Sequence, residues 1–396
     1  MIALAFSATL INYLDRQSLS VAEPVLRLRF HFTDIGYSRI LFAFMLAYTL
    51  MNGISGFLID RLGTRAGYAL FTAWWSLSAL LQALARGPFS LGVYRFLLGL
   101  GEAGNWPAAV RVVAEWFPAE ERSLASGIFN SGSSVGAILA PPVIAFLLVQ
   151  FGWRSSFVLV GGLGFLWVAS WLALYRMPPE PATMQTGALR VPFGRLLGSR
   201  FVWSFTFSKI FMDPAWYFYT FWFPEYLSHS RHFNIASIGR YAWVPFFVAG
   251  LGSAGGGFIA KGLLRCGLSI SPARKLAVTL AALLMTAAIP AVLVHGATAS
   301  IALVSLAMAG YTAALANMLA MPADVFPASA VASVYGIASM GSGFGGMVFM
   351  LLTGWLVAHY SYLPAFALFG FIPLICALIL WTLVGPLAPD AGLARE

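Results

Sequence analysis

Charged side chains set in apolar surroundings are the chemistry-bearing feature of this sequence. The stretch NYLDRQ at 12–17 places Asp15 and Arg16 side by side, after residues 1–14 that carry no charge. The stretch RFLLGLGEAGNW at 95–106 carries Arg95 and Glu102, and Arg111 follows. A carboxylate or guanidinium at membrane depth costs roughly 2.5–3.5 kcal/mol on insertion scales, so such groups mark functional sites. Arg16 has the planar fork that suits a carboxylate and keeps its charge, so it reads as an anion ligand or as the neutraliser of a neighbouring acid. Asp15 and Glu102 read as carboxyls that take up and release protons. Burial disfavours the ionised form and a nearby arginine favours it, so a change of partner changes protonation. The alternative for each is a static pair, Asp15 with Arg16 and Glu102 with Arg95. At 3.6 residues per turn Arg95, Gly99, Glu102 and Trp106 share one helix face. Asn105 and Trp106 precede Pro107, which can break the helix locally and free a carbonyl.

Uncharged polar groups widen the candidate site. Tyr13, Tyr48, Tyr219 and Trp222 can line a polyol site with hydroxyl and ring contacts, or serve as packing aromatics. The run DPAWYFYTFWFPE at 213–225 is dense in such residues and is interrupted by proline. Asn317 is a lone amide in a long uncharged stretch, and a buried amide needs a partner. Several chemistries leave no trace. The five histidines (31, 229, 232, 295 and 359) stand in or beside expected loops, and no HExxH, GxSxG or P-loop pattern occurs, so neither an enzyme, a metal centre nor a nucleotide-driven pump is indicated. The glycine-rich SVYGIASMGSGFGGM at 333–347 lies in an apolar span and reads as tight helix packing. Cys266 and Cys376 stand far apart and read as apolar filler. No cofactor is implied.

The elements that carry these groups are membrane helices. Of the 396 residues 60% are hydrophobic and only 9% charged, against about 25% charged in soluble domains. Runs without Asp, Glu, Lys or Arg cover 40–59, 66–85, 123–153, 155–175, 241–260, 276–323 and 325–389. A span needs about 20 such residues. Apolar length and Gly/Pro punctuation predict twelve transmembrane helices, at 2–28, 37–60, 66–85, 89–117, 122–150, 154–176, 199–228, 236–264, 273–295, 299–322, 329–358 and 363–386. The fold class is therefore an all-α polytopic membrane protein. Residues 1–176 and 199–396 form two six-helix bundles joined by a polar loop at 177–198. The net charge of +9 lies scattered over short loops, which argues for bases held at the cytoplasmic face and against nucleic acid. Arg61, Arg65, Arg176, Arg190, Arg195, Arg200, Arg265, Arg274 and Lys275 put both termini in the cytoplasm. Arg27, Arg29 and Arg39 fall on the opposite side, as a solvated rim or as an attractor of anions. The first span can itself serve as the insertion signal.

The two halves repeat. AEWFP at 114–118, followed by Gly127, Gly132 and Gly136, recurs as ADVFP at 323–327 with Gly336, Gly341 and Gly345, each 209 residues on. A weaker echo pairs GFLID at 56–60 with GFIAK at 257–261. Six-helix repeats in the same order are a transporter signature, with the substrate site near the midplane. Without a nucleotide motif, such transport runs on a gradient.

These residues resemble a known family. GFLIDRLGTR at 56–65 and RFLLG at 95–99 resemble the loop and fourth-helix motifs of the major facilitator superfamily. NYLDRQSLSVA, RFLLGLGEAGNWPAAVRVVAEWFPAEERSLASGIFNSGSSVGAILAPP and DPAWYFYTFWFPEYL look like its anion:cation symporter family, and within it the bacterial hexuronate transporters. The match covers nearly the whole chain. The resemblance implies proton-coupled import of a sugar acid anion by alternating access. By it Asp15 and Glu102 take protons, Arg16 binds the substrate carboxylate, and Tyr13, Tyr48, Ser133 and Asn317 face substrate. The departures are Ala314, Ala316 and Met318 around Asn317, and Ser339 and Ser342 where aldonate relatives carry an amide.

The expectation from sequence is thus a symporter of a hexuronate, such as glucuronate or galacturonate, or of an aldonate. It would be a monomer in the lipid bilayer of the bacterial inner membrane, with protons as its coupling ion. Trp106, Tyr219 and Trp222 join the substrate-facing set. Asp60, Arg61, Arg65, Arg95 and Arg122 are expected to serve structure and gating, with the Glu115–Arg122 junction a cytoplasmic latch. An organic anion or phosphate exchanger of the same fold is the rival. It would want a second site base, for which Lys209 is the candidate.

Overall fold

A computed structural model describes residues 1–117, 121–176, 193–326 and 328–388; the side chains of residues 60, 122–124, 193, 328, 329 and 332 lie outside that description. All regular structure among the described residues is helical. The helices are α1 (Ile2–Phe30), α2 (Asp34–Leu62), α3 (Thr64–Gln82), α4 (Pro88–Glu102), α5 (Asn105–Trp116), α6 (Arg122–Leu174), α7 (Phe193–Leu197), α8 (Arg200–Met212), α9 (Pro214–Arg231), α10 (Ile235–Tyr241), α11 (Val244–Arg265), α12 (Ile270–Met285), α13 (Ala288–Leu293), α14 (Ala297–Val325), α15 (Ala328–His359) and α16 (Tyr362–Thr382). Joined across their short breaks, and with α6 divided at its kink, they make the twelve rods expected from sequence.

The breaks have local causes. In α6 the helical path is interrupted at Gly152, whose φ of 77° lies in the left-handed region that glycine enters freely. Between α4 and α5 the chain turns at Ala103 and Gly104, just ahead of Pro107, which supplies no amide hydrogen to the turn before it. Between α8 and α9 the break falls at Asp213, and Pro214 takes the first position of the next helix, where its missing N–H is harmless. Among the described residues seven stretches are long and apolar enough to cross a membrane, and the one at 125–174 spans the Gly152 kink. The other rods carry embedded polar groups, α1 with Asp15, Arg16 and Glu23 among them. Large apolar side chains such as Leu166, Phe258 and Leu378 are exposed, an exterior suited to lipid.

The chain divides into two compact units, Met1–Gly187 with Thr220–Trp243, and Ala188–Tyr219 with Val244–Glu396. In the first unit α1 lies along α6 at Gly132 and Gly136, where a Cβ would run into the carbonyls of Phe6 and Leu10. In the second, α8 lies along α15 at Gly341 and Gly345, where a Cβ would run into the carbonyls of Thr206 and Ile210. Small residues let backbones close in a membrane, where no hydrophobic force drives helices together.

Candidate functional site

Within the first unit the charges of α1 and α4 converge. Arg16 donates from Nε to Glu102 Oε2 at 2.9 Å, and its Nη2 lies 2.8 Å from the same oxygen. Both side chains are buried, so the pair is removed from solvent screening. Aromatic rings close around the guanidinium. Its centre lies 4.7 Å from the Tyr48 ring, 5.2 Å from Tyr13 and 5.3 Å from Phe44. The close approach of α4 to α2 at Gly99, which leaves no room for a Cβ beside the Phe44 carbonyl and the Tyr48 amide, puts two of those rings in place.

Arg95 does different work. It donates from Nη2 to the Arg16 carbonyl at 3.0 Å and from Nη1 to the Asp15 carbonyl at 3.4 Å. Its own charge lies over Phe44 at 5.0 Å. Arg95 therefore fixes the backbone from which Asp15 and Arg16 project. Neither static pair read from the sequence forms as expected. Glu102 takes Arg16 instead of Arg95, and the Asp15 side chain is buried with Oδ2 making no hydrogen bond among the described residues. Asn105, just after the break, accepts from the Tyr68 hydroxyl at 2.8 Å and donates to Thr9 Oγ1 at 3.2 Å, tying α3, α5 and α1 around this cluster.

The structure thus brings together Tyr13, Asp15, Arg16, Tyr48, Arg95 and Glu102. The shared face does not continue through the break at Ala103–Gly104, and the Trp106 ring meets Phe129 edge-on at 5.7 Å. The Ser133 hydroxyl donates to the Asn130 carbonyl within its own helix. Trp222, which belongs to the first unit, packs edge-on to Tyr37 at 5.2 Å, and the Tyr37 hydroxyl donates to the Phe221 carbonyl at 2.8 Å. Arg65 is exposed and donates to the Leu172 carbonyl at 2.6 Å, and Arg61 is exposed. The side chains of Asp60 and Arg122 lie outside the described residues. Glu115 accepts from Thr64 at 2.5 Å, from Arg111 at 2.9 Å and from Tyr175 at 2.6 Å, a junction of α3, α5 and the end of α6.

Within the second unit Tyr219 is fully buried against Phe218 and Phe366, and its hydroxyl makes no hydrogen bond among the described residues. Asn317 donates to the carbonyls of Gly256 and Ala313, both at 3.0 Å, and so ties α14 to α11. A polar cluster surrounds the α8–α9 break, where the sequence reading names Lys209, the run from Asp213 and Ser342 separately and not as one group. Lys209 Nζ lies 2.7 Å from Asp213 Oδ2, and the Tyr311 hydroxyl donates to Asp213 Oδ1 at 3.2 Å. The Tyr217 and Ser342 hydroxyls lie 3.3 Å apart. The four-residue spacing of Lys209 and Asp213 was a legible signal for an ion pair. That pairing neutralises the base on which the phosphate-exchanger reading leaned.

Comparison with known proteins identifies the architecture. The sequence profile of the Major Facilitator Superfamily matches residues 5–310 and 270–395. The chain belongs to that superfamily. It is 31% identical to the hexuronate transporter of Escherichia coli (strain K12), over 97% of this chain and 93% of that one. It is 34% identical to the galacturonate transporter of Dickeya chrysanthemi, over 72% and 88% respectively. The crystal structure of a D-xylose–proton symporter superposes with a TM-score of 0.79 at 14% identity, covering 98% of each chain, which speaks to the fold. This major facilitator is a multi-pass membrane transporter and not an enzyme.

Proposed function

We propose that the protein imports a sugar acid monoanion, a hexuronate such as glucuronate or galacturonate or a related aldonate, together with protons, by alternating access across the bacterial inner membrane. Both termini are then cytoplasmic, and the monomer suffices. The observation that carries the reading is the buried Arg16–Glu102 pair ringed by Tyr13 and Tyr48. The names of the relatives support the substrate class. An arginine fork that holds a glutamate can hold a substrate carboxylate in its place. While Glu102 is ionised it occupies Arg16. Once protonated it no longer balances that charge, and an incoming carboxylate takes over the guanidinium. Proton uptake on Glu102 and anion binding on Arg16 are thereby linked through one ion pair, with Asp15, next to Arg16 in the chain, as a second carboxyl. The Tyr13 and Tyr48 rings flank the guanidinium and offer hydroxyls to a polyol. On release to the cytoplasm the acids deprotonate and Glu102 recaptures Arg16.

The test uses purified protein in liposomes with labelled glucuronate or galacturonate. Acidifying the outside drives accumulation in the wild type. Glu102→Gln abolishes accumulation while substrate counterflow persists, because the permanently neutral amide mimics the loaded carboxyl. Gradient-driven accumulation by Glu102→Gln at the wild-type level would show that Glu102 does not carry the coupling proton.

A further inference from the structure

Near the C-terminal end of α1 stands a second set of charged groups that the Arg16 site does not use. Glu23 and Glu225 are fully buried, and Arg27 lies half-buried between them. The guanidinium donates from Nε to Glu23, from Nη2 to Glu225 Oε1 at 2.7 Å and from Nη1 to Asp34 Oδ1 at 2.6 Å. The sequence left Arg27 as a solvated rim charge or an attractor of anions; three carboxylates already engage it. One turn past Glu225, His229 places Nε2 3.6 Å from Glu23 Oε2. All five residues belong to the first unit, on α1, α2 and α9.

Three carboxyl groups, those of Glu23, Asp34 and Glu225, thus gather around the single guanidinium of Arg27. Glu23 Oε2 is buried and makes no hydrogen bond among the described residues, although Arg27 holds the other oxygen of the same carboxylate. Its 3.6 Å separation from His229 Nε2 is too long for a hydrogen bond. It is close to the ~3.4 Å between two ligands of one tetrahedral ion with bonds of about 2.0–2.1 Å. Ligand atoms of Glu23, Glu225 and His229 all lie within 4.8 Å of one another, so small side-chain adjustments close them on a common centre.

We propose that Glu23, Glu225 and His229 form a site for a divalent transition metal of the zinc type. An imidazole among carboxylates selects such an ion over calcium or magnesium. Arg27 serves as the outer-shell group that orients both ligating carboxylates. Partial exposure of His229 gives the ion its way in. Once bound, the ion cross-links α1 to α9. The inference stands apart from the transport reading.

The full-length protein, purified in detergent, is titrated with zinc and separately with calcium, by calorimetry and by thermal unfolding. One zinc per chain with a raised unfolding temperature, and no calcium effect, is the expected result. His229→Ala changes an exposed ligand and should leave the unfolding temperature without zinc unchanged, while weakening zinc binding at least about tenfold. Glu23→Gln should weaken it as well, if that buried substitution folds. Absence of zinc binding, or equal binding by His229→Ala, overturns the site. A stabilisation that follows pH and requires His229 but ignores zinc assigns the cluster to a proton and also overturns it.

Discussion

The two sequence repeats preserve their backbones and diverge in their chemistry. Gly341 and Gly345 follow Gly132 and Gly136 by 209 residues, and the carbonyls they face, on Thr206 and Ile210, follow those of Phe6 and Leu10 by 200. In that register Trp216 stands for Arg16 and Tyr311 stands for Glu102. In the first unit the two positions form a buried ion pair. In the second they form a ring stack, with centroids 5.4 Å apart and planes 24° from parallel. The same helix crossing therefore presents a titratable charge pair in one copy and a neutral aromatic pair in the other. The glycines could not vary because the space they vacate is occupied by backbone. The side chains at the crossing could, because a pair of opposite charges and a pair of rings each satisfy one another. The second copy keeps its charges one and two turns earlier, in Asp213 and Lys209.

The contrast is most sharply tested by removing one partner and then both. Arg16→Met strands a buried Glu102 and should destabilise the protein by about 3–5 kcal/mol, with loss of uptake, because half of a buried pair is an uncompensated charge. Adding Glu102→Leu should restore most of the unfolding temperature and none of the uptake. If the double variant stays as unstable as the single, the pair is not the unit of energy at this crossing. A smaller effect is expected from Gly132→Val and Gly341→Val. Each forces a methyl-bearing carbon into a neighbouring helix and should cost about 1–3 kcal/mol by overpacking, in equal measure for the two copies. A large inequality between them, read by thermal unfolding, would break the backbone equivalence. The least effect belongs to Tyr311→Phe. It deletes one hydrogen bond to Asp213 while keeping the stack on Trp216, so about 1 kcal/mol is expected and uptake should persist. The Glu102→Gln and His229→Ala experiments bear on coupling and on the metal site in the same unit.

Much of the architecture was legible in the residues. Apolar length, Gly/Pro punctuation and charge together placed the helices to within a few positions, because a bilayer tolerates only backbones that satisfy their own hydrogen bonds. The first helix was read to 28 and runs to Phe30, which carries Arg27 and Arg29 into its last turn. The fourth was read as one span that Pro107 can break locally, and it breaks at Ala103–Gly104, just ahead of that proline. The candidate cluster was legible as a set of types: Asp15, Arg16, Arg95 and Glu102 were conspicuous as charges in apolar helices. Which of them touch was not. Face-sharing on one helix favoured Arg95 with Glu102, but the partner of Glu102 comes from 86 residues away. Asn317 was marked as an amide in need of a partner, and the structure supplies carbonyls on two helices.

The sequence by itself determined the membrane class, the helical rods, the duplication and the identity of the embedded charges. Each is written in local composition or in a fixed spacing along the chain. Only the tertiary structure decided that Arg95 grips the backbone while Arg16 grips Glu102, that Trp222 packs against Tyr37, and that Arg27 meets Glu225 from 198 residues away. Those pairings depend on how helices approach and rotate in a unit, set by glycine contacts and helix breaks together. A side chain's type fixes what it needs, and the packing of distant segments fixes which partner meets that need.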